Sequence, residues 1–187
     1  MSHAVKMGII WAIIYIIVEL TLITLDLHRN PMARFIGFGS NTLCLLLAIG
    51  ISIIKNFKKF KHQGLSLVSD LKTGIKTGVV YALIISSFLF SYYKWIDPGY
   101  QESVKQQFHA FAESQEFEED AIDAKKIDKG LSSLSEKDLR DNAQINIDQM
   151  LSIKTVFPMS LMALLMLSIL YSFLITAFNR IVLAKLG

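Results

Sequence analysis

The chain has 187 residues, 52% of them hydrophobic and 19% charged, and a mean hydropathy of +0.44. That is too apolar for an average soluble domain of this length and fits a polytopic membrane protein, a single membrane domain over 1–187. The formal net charge of +3 gives no overall field to draw nucleic acid, and the lone cysteine, Cys44, excludes an internal disulfide. Set in an apolar run, the Cys44 thiol is a poor nucleophile, and packing is its expected role.

The first element is the run 4–27, AVKMGIIWAIIYIIVELTLITLDL, long enough to cross a ~30 Å hydrocarbon layer as a helix. Glu19 and Asp26, seven apart, fall on one side of it, and Gly8, Ala12 and Tyr15 extend that stripe towards the N-terminus. Thr21 and Thr24 point elsewhere, and each can satisfy its hydroxyl on the backbone one turn back. A small and polar seam in a coat of Ile, Val and Leu turns the coat to lipid and the seam to other helices. Glu19 lies deepest; a carboxyl there is protonated or hydrogen-bonded, because the bare charge is too costly to desolvate. The length of the run, the interrupting Glu19 and the lack of a small-x-small site before His28 give the expectation of an uncleaved first span.

HRNPMAR (28–34) is a polar turn broken by Pro31. A second span is expected over 35–54, with Gly37, Gly39, Asn41 and Gly50 allowing close helix approach. A basic segment follows with Lys55, Lys58, Lys59, Lys61, His62, Lys72 and Lys76. The third span, 74–96, opens on Gly74-Ile75-Lys76-Thr77-Gly78 and closes on Tyr92, Tyr93 and Trp95, an interfacial aromatic belt. The fourth span, 156–178, carries a small-residue ridge, Ser168, Ser172 and Thr176, and is followed by Arg180 and Lys185.

Bases near the span ends set the orientation. Lys6, the Lys55–Lys76 group, Arg180 and Lys185 gather on one face, so both termini and the basic loop are expected in the cytoplasm and 97–154 outside. The basic loop can attract anionic headgroups, although topology alone explains it. In the outer segment Asp97 and Pro98 read as a helix start, and Val104, Phe108 and Phe111 form an apolar stripe at i, i+4, i+7. An acidic patch over 116–120 precedes a short helical stretch ending near Gly130. Ser135 with Asp138 reads as a capping box, and Leu139, Ala143, Ile147 and Leu151 carry a helical seam towards the fourth span, with a bend expected near Pro158. These amphipathic helices are too short to build a strong core alone, so their apolar faces need each other, the membrane surface or a partner.

Counting depth from the span ends, with Glu19 roughly 12 Å inside Leu27, brings Asn41, Ser86, Ser87 and Ser168 to a similar level. Tyr15, Glu19, Asp26, Asn41, Ser86 and Ser87 are therefore the candidate intramembrane polar cluster. It is either glue for the bundle or a set of stations on a proton or ion path, and a path needs several titratable groups in series. Gly74 and Gly78 are candidates for helix packing, within the monomer or in a homo-oligomer. Val104, Phe108 and Phe111 are the candidate partner surface. His109 with Glu113 at i+4 offers two metal ligands without a third, and more often such a pair is a solvated helix contact. With no GxSxG, HExxH, phosphate-cradling glycine loop or metal-diphosphate aspartates, no catalytic residue, cofactor or metal is expected.

Leu71-Lys72-Thr73-Gly74-Ile75-Lys76-Thr77-Gly78, with Trp95-Ile96-Asp97-Pro98-Gly99-Tyr100 further on, resembles the domain of unknown function 4199 family, multi-pass membrane proteins mainly of Bacteroidetes. The shared pattern is a basic loop, a K-x-G-x-x-x-G entry to the third span, an aromatic exit and an I-D-P-x-Y/F start to an acidic outer helix. The resemblance implies a bacterial inner-membrane location, no catalytic residues to carry over, and a partner among enzymes of polyprenyl-phosphate sugars. The resulting expectation is an all-α integral membrane four-helix bundle with an amphipathic extracytoplasmic segment between spans 3 and 4. Its expected role is a non-enzymatic accessory or scaffold to a membrane enzyme, the alternative being a small proton- or ion-coupled transporter centred on Glu19.

Overall fold

The computed structural model describes residues 1–25, 27, 31–60, 67–114, 117, 122 and 135–183. Its helices are α1 (His3–Thr24), α2 (Pro31–Phe60), α3 (Leu67–Ser91), α4 (Pro98–Ala112), α5 (Glu136–Met150) and α6 (Ile153–Leu183), with a π-helical turn over Tyr92–Ile96. No strand occurs among the described residues. Four helices are long and apolar enough to cross a membrane, over His3–Thr24, Phe35–Lys59, Leu67–Ile96 and Ile153–Ile181. The protein is an all-α, membrane-embedded helical bundle. By internal contacts it divides into two compact units, Met1–Phe88 with Pro158–Gly187, and Leu89–Phe157.

In the first unit α1 is apolar over most of its circumference, interrupted by Glu19 on the seam. The buried residues are Gly8, Ala12 and Tyr15, the stripe expected from sequence, with Ala4 one turn further on, while Ile10, Ile13, Ile14 and Ile17 are exposed. Thr21 donates to Ile17 O at 2.8 Å and Thr24 to Thr21 O at 2.9 Å, so neither hydroxyl needs another helix. α3 is the central helix. Its buried face runs Asp70, Gly74, Thr77, Gly78, Tyr81, Ala82, Ile85 and Ser86, and it meets α1, α2 and α6. A Cβ added at Gly8 would lie 2.8 Å from Thr77 O, which is how closely α1 approaches α3.

The helices outrun the apolar runs that announce them. α2 continues to Phe60, and α3 begins at Leu67, a turn or more before the expected start at Gly74. Lys55, Lys58 and Lys59 are therefore the last turns of one helix and Lys72 and Lys76 the first turns of the next, where a loop was expected. Hydropathy ends at the hydrocarbon edge, whereas backbone hydrogen bonding continues past it, and lysine is a good helix former. The seam expected to run unbroken into the fourth span is interrupted: the chain breaks at Leu151–Ser152, and Pro158 sits inside α6. There Thr155 Oγ1 caps the end of α5, within 2.9 Å of Gln149 O and 2.8 Å of Met150 O.

The second unit is held differently. Asp97 N donates to Tyr92 O at 3.0 Å, closing the π-turn. Tyr93 stacks on Tyr100 with ring centroids 5.6 Å apart, and the Lys94 ammonium lies 4.9 Å from the Trp95 ring centroid. Asp97 caps α4 by accepting from Tyr100 N at 3.0 Å, with Pro98 in the first turn. Ser135 and Asp138 form the expected capping box, each backbone N–H donating to the other's side chain at 3.1 Å. The stretch expected to carry the acidic patch and a short helix, 116–130, lies largely outside the described residues.

Candidate functional site

Tyr81, fully buried on α3, donates to Asn41 Oδ1 at 2.7 Å and lies 3.1 Å from Asn41 O, so the amide of α2 is held by a tyrosine absent from the expected cluster. Glu19 lies a turn away: its Oε2 would stand 3.0 Å from a Cβ at Gly37, and the lack of a side chain there makes room for the carboxyl. Tyr15 is buried on the same face of α1 as Gly8 and Ala12. Ser86 is fully buried, and its Oγ has no hydrogen-bond partner. Ser87 is exposed and donates to Leu83 O at 2.7 Å. Asp26 lies outside the described residues. Of the expected cluster, the structure shows the Asn41 amide bonded to Tyr81 and the Glu19 carboxyl seated over Gly37, one turn earlier on α2. Counting from apolar boundaries misplaces a helix that starts early by about one turn, ~5.4 Å.

Gly74 and Gly78 pack within the chain. A Cβ at Gly74 would lie 2.5 Å from Ser172 Oγ and 2.8 Å from Ile53 Cδ1, and one at Gly78 would overlap Ser168. Ser168, Ser172 and Thr176 are all buried, so the glycine pair of α3 and the hydroxyl ridge of α6 form one seam. Ser168 donates to Leu164 O and Ser172 to Ser168 O, both at 2.6 Å, so these hydroxyls are spent on their own helix and leave a smooth, close-packing surface.

Sequence reasoning missed a buried ion pair that joins three helices of the bundle. Asp70, 2% exposed in the first turn of α3, accepts from Arg180 Nη2 at 3.2 Å and from Asn56 Nδ2 at 2.8 Å. The guanidinium also sits 5.7 Å from the centroid of the Phe57 ring. Three helices, α2, α3 and α6, are joined at this one carboxylate. The signal was available: Asp70 precedes Gly74 by four and Gly78 by eight, which places it on the packing face once α3 is allowed to begin early.

Beside that ion pair a cleft of about 790 Å³ opens between the start of α1, the end of α2 and the start of α3. Lys55 and Lys59 line it from α2, and Lys72 and Lys76 from α3, with His3 and Ser52 among the other lining groups and no carboxylate among the described residues. Four lysines of the basic segment that topology explained are thus gathered around one concavity.

In the second unit α4 and α5 run antiparallel, joined by charged and polar groups. His109 Nε2 is 3.2 Å and Lys105 Nζ 3.6 Å from Asp148 Oδ1, and Gln144 donates to Glu113 at 3.3 Å. His109 and Glu113 therefore each reach a different partner on α5. Hydrogen bonding from His109, with Lys105 nearby, holds the Asp148 carboxyl below its ordinary pKa. With the row 105, 109, 113 turned to α5, Val104 is half-buried, and Phe108 and Phe111 remain 50% and 40% exposed. Phe111 meets Phe117 edge to face, with centroids 6.1 Å apart.

Four long apolar helices with a packed polar interior and a helical pair at the surface of a separate unit define a polytopic α-helical membrane protein. The chain belongs to the family described as Protein of unknown function (DUF4199), whose model matches residues 6–181. No curated protein and no solved structure matches it.

Proposed function

We propose that the chain is a non-catalytic accessory protein of the bacterial inner membrane, which engages a membrane enzyme through the surface of α4. The observation that carries this reading is the direction of α4: its charged row is used internally on α5, and Phe108 and Phe111 are left half-exposed. Partly exposed aromatic side chains of this kind are the usual anchors of protein interfaces. The charge distribution supports cytoplasmic termini and a periplasmic 97–154 segment. The family resemblance implies a partner that handles polyprenyl-phosphate sugars. The test is purification of the tagged, crosslinked chain from intact cells. Recovery of one membrane enzyme in near-equal amount, lost in Phe108→Asp/Phe111→Asp, is the expected result; an association that survives both substitutions removes the reading.

The competing reading is a proton- or ion-coupled carrier centred on Glu19. The fit of the Glu19 carboxyl over Gly37 favours a packing role instead. Under that role Glu19→Gln keeps its hydrogen-bonding capacity and changes little, whereas loss of a proton-dependent flux with the fold intact would establish the carrier.

A further inference from the structure

The cleft between the start of α1 and the facing ends of α2 and α3 has a composition that points to a ligand class. Its four lysines come in two pairs, Lys55 and Lys59 four residues apart on α2, Lys72 and Lys76 four apart on α3. Each pair therefore faces the concavity from its own helix, one turn above the other. Like charges at that spacing repel one another, by a few tenths of a kcal/mol per pair in isolated helices, so the arrangement favours an anion between them. Among the described residues lining the cleft, none is acidic. The nearest carboxylate in sequence, Asp70, is already engaged by Arg180 and Asn56, and Asn56 itself lines the cleft.

The interior of the cleft adds a second observation. Ser52 is fully buried and lines the cavity, and its Oγ has no hydrogen-bond partner. His3 Nε2, also lining the cavity, is buried without a partner. A buried hydroxyl left without a bond costs free energy unless a ligand or water completes it. Met1, Ala4 and Val68 give part of the wall an apolar character. Basic pockets between membrane helices are the setting in which phosphorylated headgroups are held, and a cavity of about 790 Å³ accommodates far more than a single phosphate ion.

We infer that this cleft is a binding site for a phosphate-bearing anion, with Lys55, Lys59, Lys72 and Lys76 supplying charge and Ser52 and His3 supplying hydrogen bonds at its interior. The phosphate belongs either to an anionic lipid headgroup or to a soluble diphosphate. The site is independent of the α4 surface and stands or falls without it.

Native mass spectrometry of the detergent-purified full chain tests the assignment, with phosphatidylglycerol as the lipid probe, phosphatidylcholine as the zwitterionic control and inorganic pyrophosphate as the soluble probe. The expected result is saturable retention of phosphatidylglycerol over phosphatidylcholine, weakened about five-fold by each of Lys72→Gln and Lys76→Gln. Ser52→Ala weakens it as well, and Lys58→Gln, which removes a neighbouring lysine that does not line the cleft, leaves it unchanged. Displacement of the lipid by pyrophosphate assigns the site to soluble diphosphates, and resistance to displacement assigns it to the lipid headgroup. Equal loss in Lys58→Gln, equal retention of phosphatidylcholine, or full binding by a variant with all four lysines replaced by Gln overturns the proposal. Each variant is checked for a monodisperse elution profile before binding is read.

Discussion

The two units of this protein solve the same problem, holding helices together, with opposite chemistry. Residues 1–88 and 158–187 contain eleven Lys or Arg against three Asp or Glu, whereas 89–157 contain eight against thirteen. In the first unit the contacts are made by what is missing from side chains: Gly8, Gly37, Gly74 and Gly78 each leave the space into which a neighbouring helix fits. In the second the contacts of α4 with α5 include charged and polar ones at exposed positions, with Phe108 and Phe111 left half-exposed. Lipid offers no hydrophobic drive between helices, so the bundle must gain from close approach and from a few well-satisfied polar groups. Water offers that drive freely, and a surface that leaves it unused is available to something else.

The contrast breaks most severely where a side chain is added to the seam. Gly78→Leu forces α3 from Ser168 of α6 and is expected to cost ~3 kcal/mol or more, read as loss of folded protein after detergent extraction. Next in size is the polar knot at Asp70. Arg180→Leu leaves a buried carboxylate bonded to Asn56 alone among the described residues; with Arg180 34% exposed, the loss should fall somewhat below the usual range for a broken buried pair, at about 2–3 kcal/mol in a reversible unfolding measurement. Tyr81→Phe removes the bond to Asn41 and should cost about 1 kcal/mol, the scale of a single interhelical hydrogen bond in a membrane.

The smallest effect belongs to the second unit. The Asp148 carboxyl is held below its ordinary pKa by His109 and Lys105, so its folded-state value is the depressed one. Its contribution is therefore complete above the unfolded-state carboxylate pKa and is lost as pH falls through the lower, folded value. Amide exchange in α4 and α5 should quicken over that acid range in the native chain. Asp148→Asn should show the faster exchange already at neutral pH and little further change on acidification, while the first unit is unaffected by the substitution.

Much of this architecture was written in the chain. The stripe Gly8, Ala12, Tyr15, the back-bonded threonines, the Asp97 cap and the Ser135–Asp138 box follow from spacing and local hydrogen bonding, which depend on neighbours in sequence. The pairing of Gly74 and Gly78 with Ser168 and Ser172 was present as two separate ridges, but which ridge meets which is a tertiary fact that periodicity cannot carry. The Asn41–Tyr81 and Asp70–Arg180 partners were lost for one reason: helix ends were placed where hydropathy falls, and an error of a turn shifts every depth match and hides Asp70 in a loop. The cleft was legible only as a run of lysines, because its shape arises from three helix ends converging.

The central claim is that the bundle closes on itself and the α4 surface is the part that meets a partner. It is tested most directly by placing a photo-crosslinking residue at Ser172 in one strain and at Phe108 in another, irradiating intact cells and identifying the adducts. The account predicts only intrachain adducts from position 172 and one dominant adduct to a different membrane protein from position 108. Dimers crosslinked through position 172, or no intermolecular adduct from position 108, would contradict it.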